Sequence, residues 1–140
     1  MSALKFRRLL PVAGLMADRI QWLAPSEALC GTIVPVPPAR LRSFQRGFDP
    51  TGVLAAALAE RLDAQLQLCL VRRGTGRQVG KRRAERLGHP PEIRATGDVP
   101  RSVLLVDDVL TTGATLSACA QALRSAGAIQ IGAVTFTRRL

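Results

Sequence analysis

The sequence predicts an α/β fold with a mostly parallel central sheet flanked by helices, and three features carry that expectation. Val103, Leu104, Leu105 and Val106 form a continuous apolar run, the pattern of a strand buried on both faces. Segments of strand and helix character alternate along the chain, which implies parallel strands joined by right-handed crossovers. The acidic pair Asp107-Asp108 and a small hydroxylated turn, Thr111-Thr112-Gly113-Ala114-Thr115, stand between the apolar run and a helical pattern. In open α/β sheets that is the edge where ligands bind.

The elements follow in order. Leu4, Leu9, Leu10, Leu15, Met16, Ile20 and Leu23 recur at helical spacing, so residues 3 to about 23 are expected to be helical. Pro11 is expected to kink this helix or to start a second one. Pro25 to Leu29 follows as a linker, and Gly31 to Val36 as a strand. Pro35 and Pro37 require that strand to end there, or to lie where their missing N–H groups are not needed. Asp49-Pro50 supplies a helix N-cap and a first-turn proline, followed by a one-sided pattern of Val53, Leu54, Ala57, Leu58, Arg61 and Leu62. Gln65 to Val71 alternates Leu66, Leu68 and Leu70 with Gln65, Gln67 and Cys69, which suggests a half-exposed strand. Four glycines frame a polar stretch from Arg72 to Pro91, with a short helix expected over Lys81 to Leu87. Ile93 to Pro100 links to the central strand. A last helix buries Leu116, Cys119, Ala120 and Leu123 and stops at Gly127, and Ile129 to Thr137 is the final strand.

At 140 residues the chain suits one domain with a real core, expected as a helical segment, 1–29, packed on a body of 30–140. No apolar run approaches the roughly 18 residues of a membrane span. No secretory pattern follows the basic N-terminus, so a cytoplasmic location is expected. Cys30, Cys69 and Cys119 form no C-x-x-C pair, and each lies among apolar residues as a small core side chain would. The net charge of +10 favours polyanionic partners, and residues 72–94 concentrate it with eight basic residues against two acidic ones. Four Phe, one Trp and no Tyr make a poor base-stacking platform.

The chemistry points to Ser102–Leu116. A small-residue turn into a helix start aims backbone N–H groups at one point, which suits a phosphate. Two adjacent carboxylates are costly unless hydroxyls or a cation meet them. A sugar phosphate satisfies both halves. A receiver domain would need a further acidic residue downstream, but none of the 32 residues after Asp108 is Asp or Glu. A purely structural turn leaves the side-by-side acids unexplained. Arg40, Arg42 and Arg46 follow the first strand, and guanidinium forks suit phosphate oxygens. Arg73, Lys81 and Arg82 belong to the basic stretch, which reads either as a flap that closes over an anion or as a solvated loop. His89, the only histidine, reads as a loop residue.

The run VLLVDDVLTTGAT resembles the phosphoribosyl-pyrophosphate (PRPP) motif of type I phosphoribosyltransferases. The segments VPVPPARLRSFQRGFDP and RRGTGRQVGKRRAER, with Arg73, Thr75 and Gln78, are similar to those of the ComF family of competence-associated phosphoribosyltransferase-like proteins. The four-cysteine zinc ribbon with which many members begin is not in this sequence, so no zinc is expected. Asp49 and His89 stand where the family often has Asn. The resemblance implies a type I phosphoribosyltransferase fold and PRPP as substrate with Mg²⁺. It implies ribose hydroxyls on Asp107 and Asp108, with metal orientation shared between them, and the 5′-phosphate on Thr111, Thr112, Gly113, Ala114 and Thr115. Pyrophosphate would meet Arg40, Arg42, Arg46, Arg73, Lys81 and Arg82. The implied activity is transfer of ribose 5-phosphate with release of pyrophosphate, in DNA uptake or nucleotide metabolism. Two alternatives stay open: a non-enzymatic factor that binds single-stranded DNA or DNA-uptake proteins, and a PRPP sensor on the same fold.

Overall fold

The computed structural model describes residues 2–39, 47–73 and 90–139. In chain order the elements are α1 (Ser2–Leu23), β1 (Thr32–Pro35), α2 (Pro50–Leu62), β2 (Leu70–Arg72), β3 (Ile93–Ala95), β4 (Ser102–Leu110), α3 (Ala114–Ser125) and β5 (Gln130–Arg138). A single 3₁₀ turn, Ser26–Ala28, occupies the linker after α1.

The apolar run becomes the middle of a three-stranded parallel sheet, ordered β1-β4-β5. Its four residues are almost wholly buried, and their alternation divides them between two cores. Leu104 and Val106 pack with Ile33, Leu54, Ala55 and Leu58, and with Ala17 and Ile20 of α1. Val103 and Leu105 face the other way, onto Val34, Val36, Cys69, Leu70, Cys119 and Leu123. α1 and α2 therefore cover one face of the sheet, while α3 and the short antiparallel pair β2–β3 cover the other. This is the expected layered α/β fold.

Pro35 sits inside β1 without cost to the ladder. The Ile33 N–H and carbonyl face the 65–67 segment, bonding Gln65 O at 2.8 Å and Gln67 N at 2.9 Å. Pro35 points to that same side, beyond the single bridge Ile33–Leu66, where no donor is required. The Val36 N–H points the opposite way and donates to Val106 O at 2.9 Å.

Several expectations need correction. Pro11 lies within one helix, α1, and starts no second one. Gln65–Val71 is not one strand: Leu66 makes an isolated bridge, and β2 starts only at Leu70. Its alternation is not leucine-inward either, since Leu68 is 74% exposed while Cys69 is buried. Cys69 takes the inward place because its segment crosses from the edge of β1 to the α3 side of the sheet. Ile93–Ala95, read as a linker, is a strand paired with β2. Cys30 is exposed, unlike the two buried cysteines, because it follows the surface 3₁₀ turn. The acidic pair does not lie beyond the end of its strand. β5 runs alongside as far as Arg138 and pairs Asp107 with Thr135 and Leu110 with Arg138, so β4 continues through both acids. The expected helix over Lys81–Leu87 lies outside the described residues.

Leu104 is fully buried in the core cluster that both helices of its face share, so Leu104→Ala should cost about 2–5 kcal/mol in urea unfolding. Leu68→Ala should change stability by less than about 0.5 kcal/mol in the same measurement.

Candidate functional site

A parallel crossover returns its helix antiparallel to the strands, so each helix starts at the carboxyl edge of the sheet. α2 and α3 both start there, beside the end of β4. Asp49 takes the N-cap position of α2 with extended backbone (φ −106°, ψ 101°), and Pro50 fills the first turn. The next residue, Thr51, reaches the acidic pair. Its Oγ1 lies 3.3 Å from Asp108 Oδ1 and 3.5 Å from Asp107 Oδ1. The Asp108 backbone N–H donates to Asp107 Oδ1 at 2.9 Å. Asp107 is thus held from two sides.

Asp107 is perturbed by its surroundings. Burial, the hydrogen bond shared with Asp108 and the Asp108 charge push the Asp107 carboxyl up from 3.8 to about 6; the Asp108 N–H and Thr51 pull the other way. Asp49 is raised as well, chiefly by burial and further by the Asp108 charge. Its carboxylate leans over the N–H groups of Gly52 and Thr51, which oppose the rise, without closing a side-chain cap. Asp49 Oδ1 is buried with no hydrogen-bond partner among the described residues.

The turn after β4 forms the other half of the site. Gly113 is the N-cap of α3 at φ 80°, ψ 0°, in the left-handed region that glycine tolerates best. Thr112 Oγ1 accepts from the Ala114 N–H at 3.3 Å, and the first intrahelical bond is Ser117 N–H to Gly113 O at 2.9 Å. The N–H groups of Thr115 and Leu116 therefore have no acceptor within the helix and leave an open helix start. Thr111, Thr112 and Ala114 are exposed there, and Gly113 and Thr115 are partly so. A groove of about 730 Å³ leads away from Ala114 between α3 and the segment Pro90–Ala95, with Ser117, Gln121 and Arg94 in its walls.

On the other side of α3, Cys119 is fully buried, and its thiol is pushed up to about 12 by burial, against the pull of the Arg72 guanidinium. That thiol is inert. Arg72 is partly buried, and its Nε has no hydrogen-bond partner among the described residues. Arg73 is exposed at the end of the β2–β3 pair, where its N–H bonds Glu92 O at 2.9 Å. Arg40, Arg42, Arg46, Thr75, Gln78, Lys81, Arg82 and His89 lie outside the described residues. Sequence reasoning assembled the acids and the turn but missed Thr51. The one signal was Asp49-Pro50, which marks a helix start at the same sheet edge.

The family model described as "Phosphoribosyl transferase domain" matches residues 52–140. The chain belongs to this phosphoribosyl transferase domain family. Its resemblance to the ComF family agrees with the matching relatives. The competence protein ComFC of Streptococcus pneumoniae is 34% identical over 76% of this chain and 46% of its own length. Competence protein F of Haemophilus influenzae is 34% identical over 89% of this chain and 56% of its own length. The chain thus spans about half the length of the curated relatives it matches. Orotate phosphoribosyltransferase from Aeropyrum pernix superposes with a TM-score of 0.57 at 23% identity, covering 89% of this chain and 58% of its own. That likeness shows the type I phosphoribosyltransferase fold.

In this domain Asp107 makes stability pH-dependent with a definite sign. Its folded-state value lies above the unfolded 3.8, so the native state holds its proton more tightly. The contribution is complete below about pH 4 and disappears as pH rises through about 6, a loss on the order of 1–2 kcal/mol after solvent screening of the partly exposed carboxyl. Urea midpoints from pH 4 to 7 should fall more steeply for the natural protein than for Asp107→Asn. Gly113→Ala meets only Leu110 Cδ1, at 3.8 Å, so its cost should be the backbone strain alone. Unfolding measurements should put that at about 1–2 kcal/mol.

Proposed function

We propose that this domain binds PRPP at the carboxyl edge of the sheet and transfers its ribose 5-phosphate to an acceptor, releasing pyrophosphate. The observation that carries this reading is the placement of a carboxylate pair and an open helix start on one short segment, Asp107 to Leu116. Ribose hydroxyls would donate to Asp107 and Asp108. The 5′-phosphate would accept from the first-turn N–H groups of α3 and from the hydroxyls of Thr111, Thr112 and Thr115. Such charge-assisted bonds contribute about 1.5–3 kcal/mol each. Several together support micromolar affinity, roughly 8 kcal/mol.

The donor set suits Mg²⁺ delivered with the substrate. Among the described residues no group of three His, Cys, Asp or Glu side chains could hold a metal. One or two carboxylates plus substrate phosphates is the usual Mg²⁺ environment. Bound there, Mg²⁺ would neutralise the charge of the departing pyrophosphate. In the reaction the bond from C1 of the ribose to the pyrophosphate oxygen breaks, and its electron pair leaves on pyrophosphate. The acceptor's lone pair then forms the new bond to C1. No protein nucleophile is required. Arg40, Arg42, Arg46, Arg73, Lys81 and Arg82 are the cations proposed for the pyrophosphate side. The names of the competence relatives support a role in DNA uptake.

Calorimetric titration of PRPP with Mg²⁺ should give micromolar binding to the natural protein. It should fall at least tenfold for the double variant Asp107→Asn/Asp108→Asn. Equal binding by the two proteins would remove this reading. Pyrophosphate release over a panel of bases separates turnover from sensing. The +10 charge favours a second reading, single-stranded DNA binding. In that case affinity should fall steeply with salt and with Arg82→Glu/Arg83→Glu while the acids are intact.

A further inference from the structure

Thr51 is the only buried polar residue among the described residues, at 6% exposure. It lies on the inward face of α2, three, four and seven residues before Leu54, Ala55 and Leu58, all of which are buried in the core beneath the sheet. Packing alone would favour Val or Ala there, because a buried hydroxyl is costly without a partner. Its partners are the two acids, 56 and 57 residues away in sequence. The hydroxyl carries one proton and stands at nearly equal distances from Asp108 Oδ1 and Asp107 Oδ1, 3.3 and 3.5 Å. Asp107 Oδ1 also accepts the Asp108 N–H. The β-branched side chain has only two main rotamers within a helix, which limits where the hydroxyl can point.

We propose that Thr51 is a positioning residue: α2 carries its hydroxyl to the acidic pair, and the bridge sets the orientation in which both carboxylates meet the ligand. Its effect on ligand binding rests on the PRPP reading above. Its effect on the carboxylates does not. The hydroxyl gives the paired acids a donor that no residue of their own strand supplies by side chain. It also ties the start of α2, and with it Asp49, to the end of β4.

Thr51→Val keeps the shape and removes the proton; Thr51→Ser keeps the hydroxyl. The first readout needs no ligand: hydrogen exchange of the Asp108 amide, whose N–H is held by Asp107 Oδ1. Exchange should quicken several-fold in Thr51→Val and stay near the natural rate in Thr51→Ser. The second is Mg²⁺-PRPP affinity by calorimetry. It should fall about five- to tenfold in Thr51→Val, as expected for one lost hydrogen bond, and stay within about twofold in Thr51→Ser. If Thr51→Val fails to fold, Thr51→Ala takes its place. Should the natural protein bind no PRPP, the PRPP reading falls and the amide readout alone decides the role of Thr51. An unchanged Asp108 amide in Thr51→Val overturns the proposal. So does a Thr51→Ser variant as impaired as Thr51→Val, since the methyl group alone would then matter.

Discussion

Two carboxylates side by side at the end of a buried strand form the constraint around which this domain is arranged. Both are partly withdrawn from water, and burial together with the neighbouring Asp108 pushes Asp107 up to about 6. Such a pair persists only where donors converge on it. Among the described residues the donors are the Asp108 N–H and the Thr51 hydroxyl. The positive ends of two helices add a weaker, longer-range contribution of the same sign.

That convergence follows from topology. Because β1, β4 and β5 run parallel, the connections that cross between them must begin their helices at one edge. α2 brings Asp49 and Thr51 to that edge, and α3 brings the N–H groups after Gly113. The burial of β4 on both faces holds the edge rigid. Leu104 and Val106 anchor it to α1 and α2, while Val103 and Leu105 anchor it to α3 and the β2–β3 pair. A shift of β4 by one residue would exchange these two sets and turn both acids around. The same packing that stabilises the sheet therefore fixes which way the carboxylates face.

The sequence made this edge legible and left other parts obscure, for identifiable reasons. An unbroken apolar run has one consistent explanation, and a Gly within a hydroxylated turn before a helical pattern has few others. Asp49-Pro50 located a helix start from local chemistry alone, and Gly127, at φ 111° just past the α3 C-cap, located a stop. The failures are non-local. The continuation of β4 through its acids depends on β5 extending beside it to Arg138, which no local pattern records. Leu66, Leu68 and Leu70 alternate cleanly, yet the chain changes partners between them, so the alternation marks no single face. β3 is three residues long and exists only because β2 pairs with it. Thr51 was silent because its partners lie 56 and 57 residues away.

The raised carboxyl of Asp107 links this arrangement to what the edge can do. Stability is lost where Asp107 is held ionised, and a ligand that supplies donors or a cation would restore it. A ligand with hydroxyls but no charge would satisfy the acids and leave the α3 helix start empty. A simple phosphate would fill the helix start and leave the acids strained. A molecule that spans both would relieve the whole edge at once, as the proposed sugar phosphate would. The Thr51 bridge sharpens the preference. With one proton shared between two carboxylates, it would offset part of their repulsion without neutralising either, so the proposed positioning leaves the pair open to a ligand.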